Sequence, residues 1–280
     1  PGQLARIMTS PNNYYPLMQN SVVTKPRRSR GCYLKLGSTD SALSLHGCMP
    51  KGNYAWGVSY VIENVLSYNQ LLVKSLFKSH GVQVKGHIIP GKALPSLSSI
   101  VDHQSKPLKS IVTDMMKKSD NVIAGALFKK LGQMYTKKPG SWETGSMAVE
   151  KILSSKIGVN TAGMRIIDGS GLSRFNQVTP SQMMQVLDFA FHHGGTSNEF
   201  ITSLPIAGVD GTLKRRMYNI SRKVRAKTGT IHGVVSLAGY AASANKEPLA
   251  FVIMINGHNS GWAYKELEDK LVTLLTQYQR

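Results

Sequence analysis

Apolar positions recur with two different periods along these 280 residues, and the change of period divides the chain. Cys32–Leu36 and Ala42–Cys48 alternate apolar with polar residues on either side of a Gly37-Ser38-Thr39-Asp40 turn, which predicts a β-hairpin ending at Met49-Pro50. Trp56–His80 carries apolar residues at three- and four-residue steps (Val58, Val61, Val65, Leu71, Leu72, Leu76), the spacing of a helix, and Gly81 stops it. Val82–Ile89 alternates again and predicts a strand before Pro90-Gly91. The first thirty residues, rich in Asn, Tyr, Pro and Arg, show no clean period and read as a lead-in. The first hundred residues are thus expected to be a β-α-β assembly without a catalytic signature.

The texture changes at Pro107. Leu108–Lys118 is an amphipathic helix, Ser119-Asp120-Asn121 interrupts it, Val122–Gly132 resumes helical spacing, and Trp142–Ile157 is a further helix. Met164–Ile167 predicts a short strand running into Asp168-Gly169-Ser170-Gly171, a tight turn whose glycines tolerate unusual backbone angles. Thr179 caps a helix with Pro180 at its first position, running to His192. Three strands follow, Val224–Thr230, Val234–Ala242 and Leu249–Asn256, and Glu266–Tyr278 is a closing amphipathic helix. The sequence contains no internal repeat and no low-complexity segment.

Composition adds bounds. With 41% apolar and 18% charged residues the chain has ordinary globular usage, enough for a substantial core spread over two units. The longest apolar run, Pro248–Gly257, is ten residues and falls short of the roughly 18 a membrane span needs, so a soluble chain is expected. From Pro1 onward there is no basic, apolar, small-residue leader pattern; a targeting sequence would have been removed or would belong to a longer precursor. Lys and Arg number 34 against 15 Asp and Glu, a net charge of +19, which raises the question of a polyanionic partner. The charge is scattered, however. Its densest groups, Lys25-Pro26-Arg27-Arg28-Ser29-Arg30, Lys214-Arg215-Arg216 and Arg222-Lys223, are not interleaved with aromatics, so nucleic acid is not the expected partner. Cys32 and Cys48 flank the predicted turn and are either bridged across the hairpin, which would imply an oxidising compartment, or free thiols. His192-His193 and the other histidines form no metal-ligand spacing, so neither a metal nor any other cofactor is expected.

Two short motifs carry the chemistry: Ser119-Asp120-Asn121 between helices and Lys227-Thr228-Gly229 on a predicted strand. Either alone is weak, since Ser-x-Asn is as readily a helix cap. In this order and setting they resemble the second and third signatures of penicillin-binding proteins and serine β-lactamases. The resemblance extends through Lys117–Ala124, Asp168–Arg174, Leu204–Leu213 and Arg225–Thr230 to Leu237–Tyr240. These segments are similar to the low-molecular-weight class C penicillin-binding proteins, the D-Ala-D-Ala carboxypeptidase/endopeptidase family.

The resemblance implies an α+β fold of the penicillin-binding-protein/serine β-lactamase type, present in part as an antiparallel sheet flanked by helices. It makes residues 105–280 the carboxy-terminal part of the peptidase domain and residues 1–104 part of an inserted β-rich accessory domain. It assigns catalytic roles to Ser119, Asn121 and Lys227, and substrate binding to Thr228, Gly229 and Thr230. Ser119 would shuttle a proton to the leaving D-alanine nitrogen, Asn121 would hold the substrate amide, and Lys227 would supply positive potential. Thr228 and Thr230 would bind the terminal carboxylate, the Thr230 N–H would be an oxyanion donor, and Gly229 would leave the strand edge open to an added peptide strand. Peptidoglycan stem peptides are the implied partners and the periplasm the implied location. The family also needs Ser-x-x-Lys as nucleophile and base. The two matches, Ser75-Leu76-Phe77-Lys78 in the inserted region and Ser243-Ala244-Asn245-Lys246 at a strand-to-strand turn, are expected to be decoys, with the true serine upstream of Pro1. The expectation is therefore a chain inactive by itself, reacting with β-lactams only if a missing amino-terminal half supplies the nucleophile. The alternative is a truncated homologue that binds peptidoglycan or serves as a scaffold. Such a fragment would also leave Leu249–Asn256 with an unpaired edge.

Overall fold

A computed structural model describes the chain except for residues 10–16, 39–41, 53, 54, 56, 59, 63, 93, 95, 194–196, 258–260 and 280. The chain forms two compact units, Pro1–Asp102 and His103–Arg280.

The first unit is built on a three-stranded sheet in which β3 (Ala42–Pro50) is central, antiparallel to β2 (Leu34–Ser38) and parallel to β1 (Leu17–Lys25). The predicted hairpin is β2–β3; the tip of its turn and Trp56 lie outside the described residues. Cys32 and Cys48 are joined as a disulfide with Cα atoms 5.3 Å apart, and the Cys48 N–H also bonds the Tyr33 carbonyl. Val22, Leu43 and Leu45 form the buried core of this sheet.

Three expectations for this unit fail. The aperiodic lead-in contains β1, whose inward positions include Asn20 and Thr24 beside Met18 and Val22. Polar residues can face inward there because Asn20 donates to the Ala5 carbonyl (2.8 Å) and accepts from the Val22 N–H (3.0 Å), while Thr24 bonds the Gln3 carbonyl (2.9 Å). The helix expected over Trp56–His80 is α1, Val65–Ser79. Asn64 caps it by accepting from the Ser67 N–H, so the apolar spacing upstream lies outside the helix, with Val61 76% exposed. Val82–Ile89 forms no strand: it has no ladder partner among the described residues, and its ties to α1 are the Val82 N–H donating to the Phe77 carbonyl at 2.9 Å and Gln70 donating to the Ile88 carbonyl at 2.7 Å. Alternation is the pattern of a strand, but pairing makes one.

In the second unit, α2 (Leu108–Lys118) and α3 (Asn121–Thr136) meet end to end, and α4 (Trp142–Ile152) continues as one π turn, Leu153–Ile157. Instead of a strand, Met164–Ile167 contributes a single bridge, Arg165 to Gln177. Then α5 (Pro180–His192) opens with Thr179 and Gln182 capping each other reciprocally, and the short α6 (Ser197–Ser203) follows. An antiparallel sheet comes next, β4 (Val224–Ile231), β5 (Val234–Ala242) and β6 (Pro248–Asn256), in that order. Closing helix α7 is Gly261–Leu275, starting and ending earlier than expected.

Strand alternation sorts the side chains of this sheet onto two covered faces. Val224, Ala226, Leu237, Ala241 and Phe251 pack with Val272 of α7 and with Leu213, Met217 and Ile220. On the other face Ala238, Tyr240 and Val252 pack with Leu187 of α5, Leu204 and Met116 of α2. A helical layer therefore lies on each side of the sheet. The Tyr240 hydroxyl donates to the Leu187 carbonyl at 2.7 Å, and burial, with Asp188 nearby, pushes its ionisation up to about 12. Among the described residues the backbone ladder of β6 runs to β5 alone.

Candidate active site

Ser119 terminates α2 in the left-handed conformation (φ 57°), which turns the chain sharply enough for α3 to begin two residues later. Asp120 is consumed by that junction: its carboxylate caps α3, accepting from the Val122 and Ile123 N–H groups at 2.9 Å each. The cap reading of this tripeptide is therefore right for Asp120 and leaves its neighbours free for other work. Asn121 is exposed at the first turn of α3 and makes no side-chain hydrogen bond among the described residues.

Lys227 lies on β4 opposite Ala238, on the face that packs toward α2. Its Nζ donates to Ser119 Oγ at 2.7 Å and to the Thr228 carbonyl at 2.7 Å. Burial holds its ammonium below the ordinary value of 10.5, because the charged form gives up hydration there. Thr228, one residue on, points to the other face, where its hydroxyl donates to Thr212 Oγ1 at 2.8 Å. Gly229 pairs with Ser236 on β5, and a Cβ at Gly229 would overlap the Ser236 hydroxyl. The Ser236 hydroxyl would have to turn aside to admit a side chain there. Thr230 is exposed at the end of the strand, paired with Val235. Ser119 and Lys227 are brought into contact; Thr228, Gly229 and Thr230 extend from Lys227 along β4, which is an outer strand of the sheet.

A third segment adjoins the first two. The Asp168 carboxylate accepts from Ser170 N–H (2.8 Å), Ser170 Oγ (3.0 Å), Gly171 N–H (2.6 Å) and Ser173 N–H (2.7 Å). Burial opposes its charge, but these bonds outweigh it and hold the carboxyl below its ordinary 3.8. Asp168 therefore shapes its own turn. That turn lies against α3, where a Cβ at Gly169 would meet the Ala124 carbonyl at 2.7 Å, and Arg174 reaches the His232 carbonyl beyond β4 at 3.1 Å. Neither the Arg174 tie nor the Thr212 hydroxyl stood out in the sequence, since both lie in segments with no motif spacing to the groups they touch.

Neither Ser-x-x-Lys match lies in the segments that meet at Ser119 and Lys227. Ser75 and Lys78 are on α1 of the first unit. Ser243 is 3% exposed in the β5–β6 turn, where its hydroxyl accepts from the Glu247 N–H at 3.0 Å, and Lys246 is exposed. Ser243 is spent on holding a turn, not aimed at a cleft. Among the described residues no group of three or more His, Cys, Asp and Glu is placed to hold a metal, and no helix is long and apolar enough to cross a membrane.

Residues 1–278 match the model of the D-Ala-D-Ala carboxypeptidase 3 (S13) family. The chain is 32% identical to the D-alanyl-D-alanine carboxypeptidase DacB of Haemophilus influenzae over 286 residues, covering 100% of this chain and 58% of that protein. It is 38% identical to a D-alanyl-D-alanine carboxypeptidase of Actinomadura over 218 residues, 74% of this chain and 39% of that one. It thus spans less than two thirds of either relative. Its fold matches the crystal structure of penicillin binding protein 4 (dacB) from H. influenzae complexed with a β-lactam, with a TM-score of 0.77 at 31% identity, covering 99% of this chain and 67% of that one.

Proposed function

This chain belongs to the D-Ala-D-Ala carboxypeptidase 3 (S13) family, and from that premise we propose that it forms one wall of a serine-type D-Ala-D-Ala carboxypeptidase/endopeptidase site for peptidoglycan stem peptides. The observation that carries the reading is the 2.7 Å contact between Lys227 Nζ and Ser119 Oγ. A lysine with a lowered proton affinity beside a hydroxyl is suited to relay a proton, here between an acylating serine and the departing D-alanine nitrogen. Thr230 would bind the terminal carboxylate along the edge of β4, joined by Thr228 on turning its hydroxyl away from Thr212, the Thr230 N–H would face the oxyanion, and Asn121, which makes no side-chain hydrogen bond among the described residues, would hold the substrate amide. The buried Ser243 hydroxyl is committed to its own turn, and Ser75 lies in the region the resemblance assigns to the inserted domain, so in this reading neither Ser-x-x-Lys match supplies the acylating serine. The Cys32–Cys48 disulfide supports an oxidising location, in keeping with the periplasm.

The isolated chain, incubated with a fluorescent penicillin, is expected to take up no stable label while binding a peptide that ends in D-Ala-D-Ala. The same peptide with its terminal carboxylate amidated should bind about tenfold more weakly, a loss on the order of 1.4 kcal/mol, as expected for a charge-assisted contact. Covalent label mapping to Ser75 or Ser243 would overturn the assignment of the nucleophile, and indifference to amidation would overturn the carboxylate site.

A further inference from the structure

Contact between Ser119 and Lys227 requires that the end of α2 and the middle of β4 hold a fixed separation. The segment Leu204–Leu213 touches both elements. On one side, Lys117 of α2, two residues before Ser119, donates to the Asp210 carboxylate at 2.8 and 3.0 Å and to the Leu204 carbonyl at 2.6 Å. Asp210 is fixed in turn by accepting from the Ile206 N–H at 2.8 Å. On the other side, the Ala226 N–H donates to the Pro205 carbonyl, the Ala207 N–H donates to the Val224 carbonyl (3.0 Å each), and Thr228 donates to Thr212 at 2.8 Å. The approach is close: Gly211 has φ +57°, and a Cβ there would meet the Lys117 carbonyl at 2.8 Å and the Pro205 ring at 3.0 Å. Leu213, fully buried, anchors the far end of the segment in the core under β4 and β5.

We propose that Asp210 and Thr212 are positioning residues, a clamp that sets the Ser119–Lys227 contact by tying α2 to β4 through the Lys117–Asp210 ion pair and the Thr228–Thr212 hydrogen bond. The inference rests on the reading of Ser119 and Lys227 as site residues. The ion pair has the features of a geometric device. The Lys117 side chain is 17% exposed and spends its ammonium on three acceptors within one short segment, so it has little freedom to slide. Thr228 and Lys227 point to opposite faces of β4, so holding Thr228 from one side fixes the twist of the strand that presents Lys227 on the other.

The test reads Lys227 directly. In the 280-residue chain with isotopically labelled lysines, the titration of Lys227 is followed by NMR beside the thermal unfolding midpoint. Asp210→Asn is expected to let α2 part from β4, hydrate Lys227 and raise its titration by about half a pH unit toward its ordinary value, with Asp210→Glu restoring most of the shift. Thr212→Val, which removes one acceptor and no charge, should shift it the same way by less, and it carries the test if Asp210→Asn does not fold. A lower unfolding midpoint with an unmoved Lys227 titration in Asp210→Asn and Thr212→Val would overturn the clamp and leave these residues a role in the fold alone. The titration is read without peptide, so failure of peptide binding in the unaltered chain would defeat the functional reading while leaving the clamp standing.

Discussion

Ser119 and Lys227 stand 108 positions apart in the chain and 2.7 Å apart in space, the hydroxyl accepting from the ammonium. Removing the hydroxyl leaves Lys227 as buried as before with one acceptor fewer, the other being the Thr228 carbonyl. A buried cation that loses an acceptor holds its proton less tightly. Ser119→Ala is therefore expected to lower the Lys227 titration further below 10.5, opposite to the change expected from loosening Asp210, and NMR of labelled lysine separates the two.

Burial of Lys227 works against the fold as well as for the site. Its proton affinity is lowered in the folded chain from 10.5, so the folded state disfavours the charged form. That penalty is full below the folded value and disappears as pH rises toward 10.5, where the lysine of the unfolded chain also becomes neutral. Lys227→Met should accordingly be more stable than the unaltered chain near neutral pH, by a margin that shrinks as pH rises, while losing affinity for peptides ending in D-Ala-D-Ala. Urea melts at a series of pH values measure the margin, and a margin that grows with pH would contradict the argument. Such an exchange of stability for function is common at sites built to bind charge.

Legibility in the sequence followed how local the cause was. Helix α5 could be read because Thr179 and Pro180 sit at its start and act within four residues, and β4 to β6 because both faces of their sheet are covered by helices. Strand β1 could not be read: its inward Asn20 and Thr24 are satisfied by Ala5 and Gln3, distant in sequence. The same reasoning explains Val82–Ile89, which alternates like a strand and finds no strand to pair with among the described residues. In the site, the two motifs were legible because their residue types are specific to the chemistry. Lys117, Asp210 and Thr212 were visible only as parts of segments resembling the family, since their ties join positions 93 and 16 residues apart.

The disulfide sets a third expectation. Cys32 and Cys48 close a loop of 16 residues around the β2–β3 hairpin. Opening a loop of that size returns conformational freedom to the unfolded chain, which removes about 3 kcal/mol of stability. Replacing both cysteines with serine should raise amide exchange across Leu34–Pro50 and lower the denaturant midpoint of the first unit.

Glu268 provides the sharpest test of the packing beneath α7. It is 1% exposed, its Oε2 accepts from Arg216 Nη2 at 2.9 Å, and its Oε1 has no partner among the described residues. Burial raises its proton affinity above the ordinary 4.5, and the Arg216 hydrogen bond and charge only partly offset this. Arg216 also binds Asp269 at 2.7 and 3.0 Å and the Lys265 carbonyl at 3.1 Å, so one guanidinium ties three positions of α7 to the segment before β4. Arg216→Met leaves a buried carboxylate unpaired and should cost about 3–5 kcal/mol near neutral pH. The sign of the pH dependence follows from the raised proton affinity: as pH climbs past 4.5 the unfolded chain releases this proton first, so Glu268 disfavours folding from there upward. Without Arg216 that penalty grows. The deficit of Arg216→Met should therefore be smallest in acid, where Glu268 is protonated in both states, and widen toward neutrality. Adding Glu268→Gln to Arg216→Met should recover much of the loss and flatten its pH dependence. A deficit that stays constant from acid to neutral pH would show instead that Arg216 acts through the Lys265 carbonyl and its own packing rather than through the carboxylates of α7.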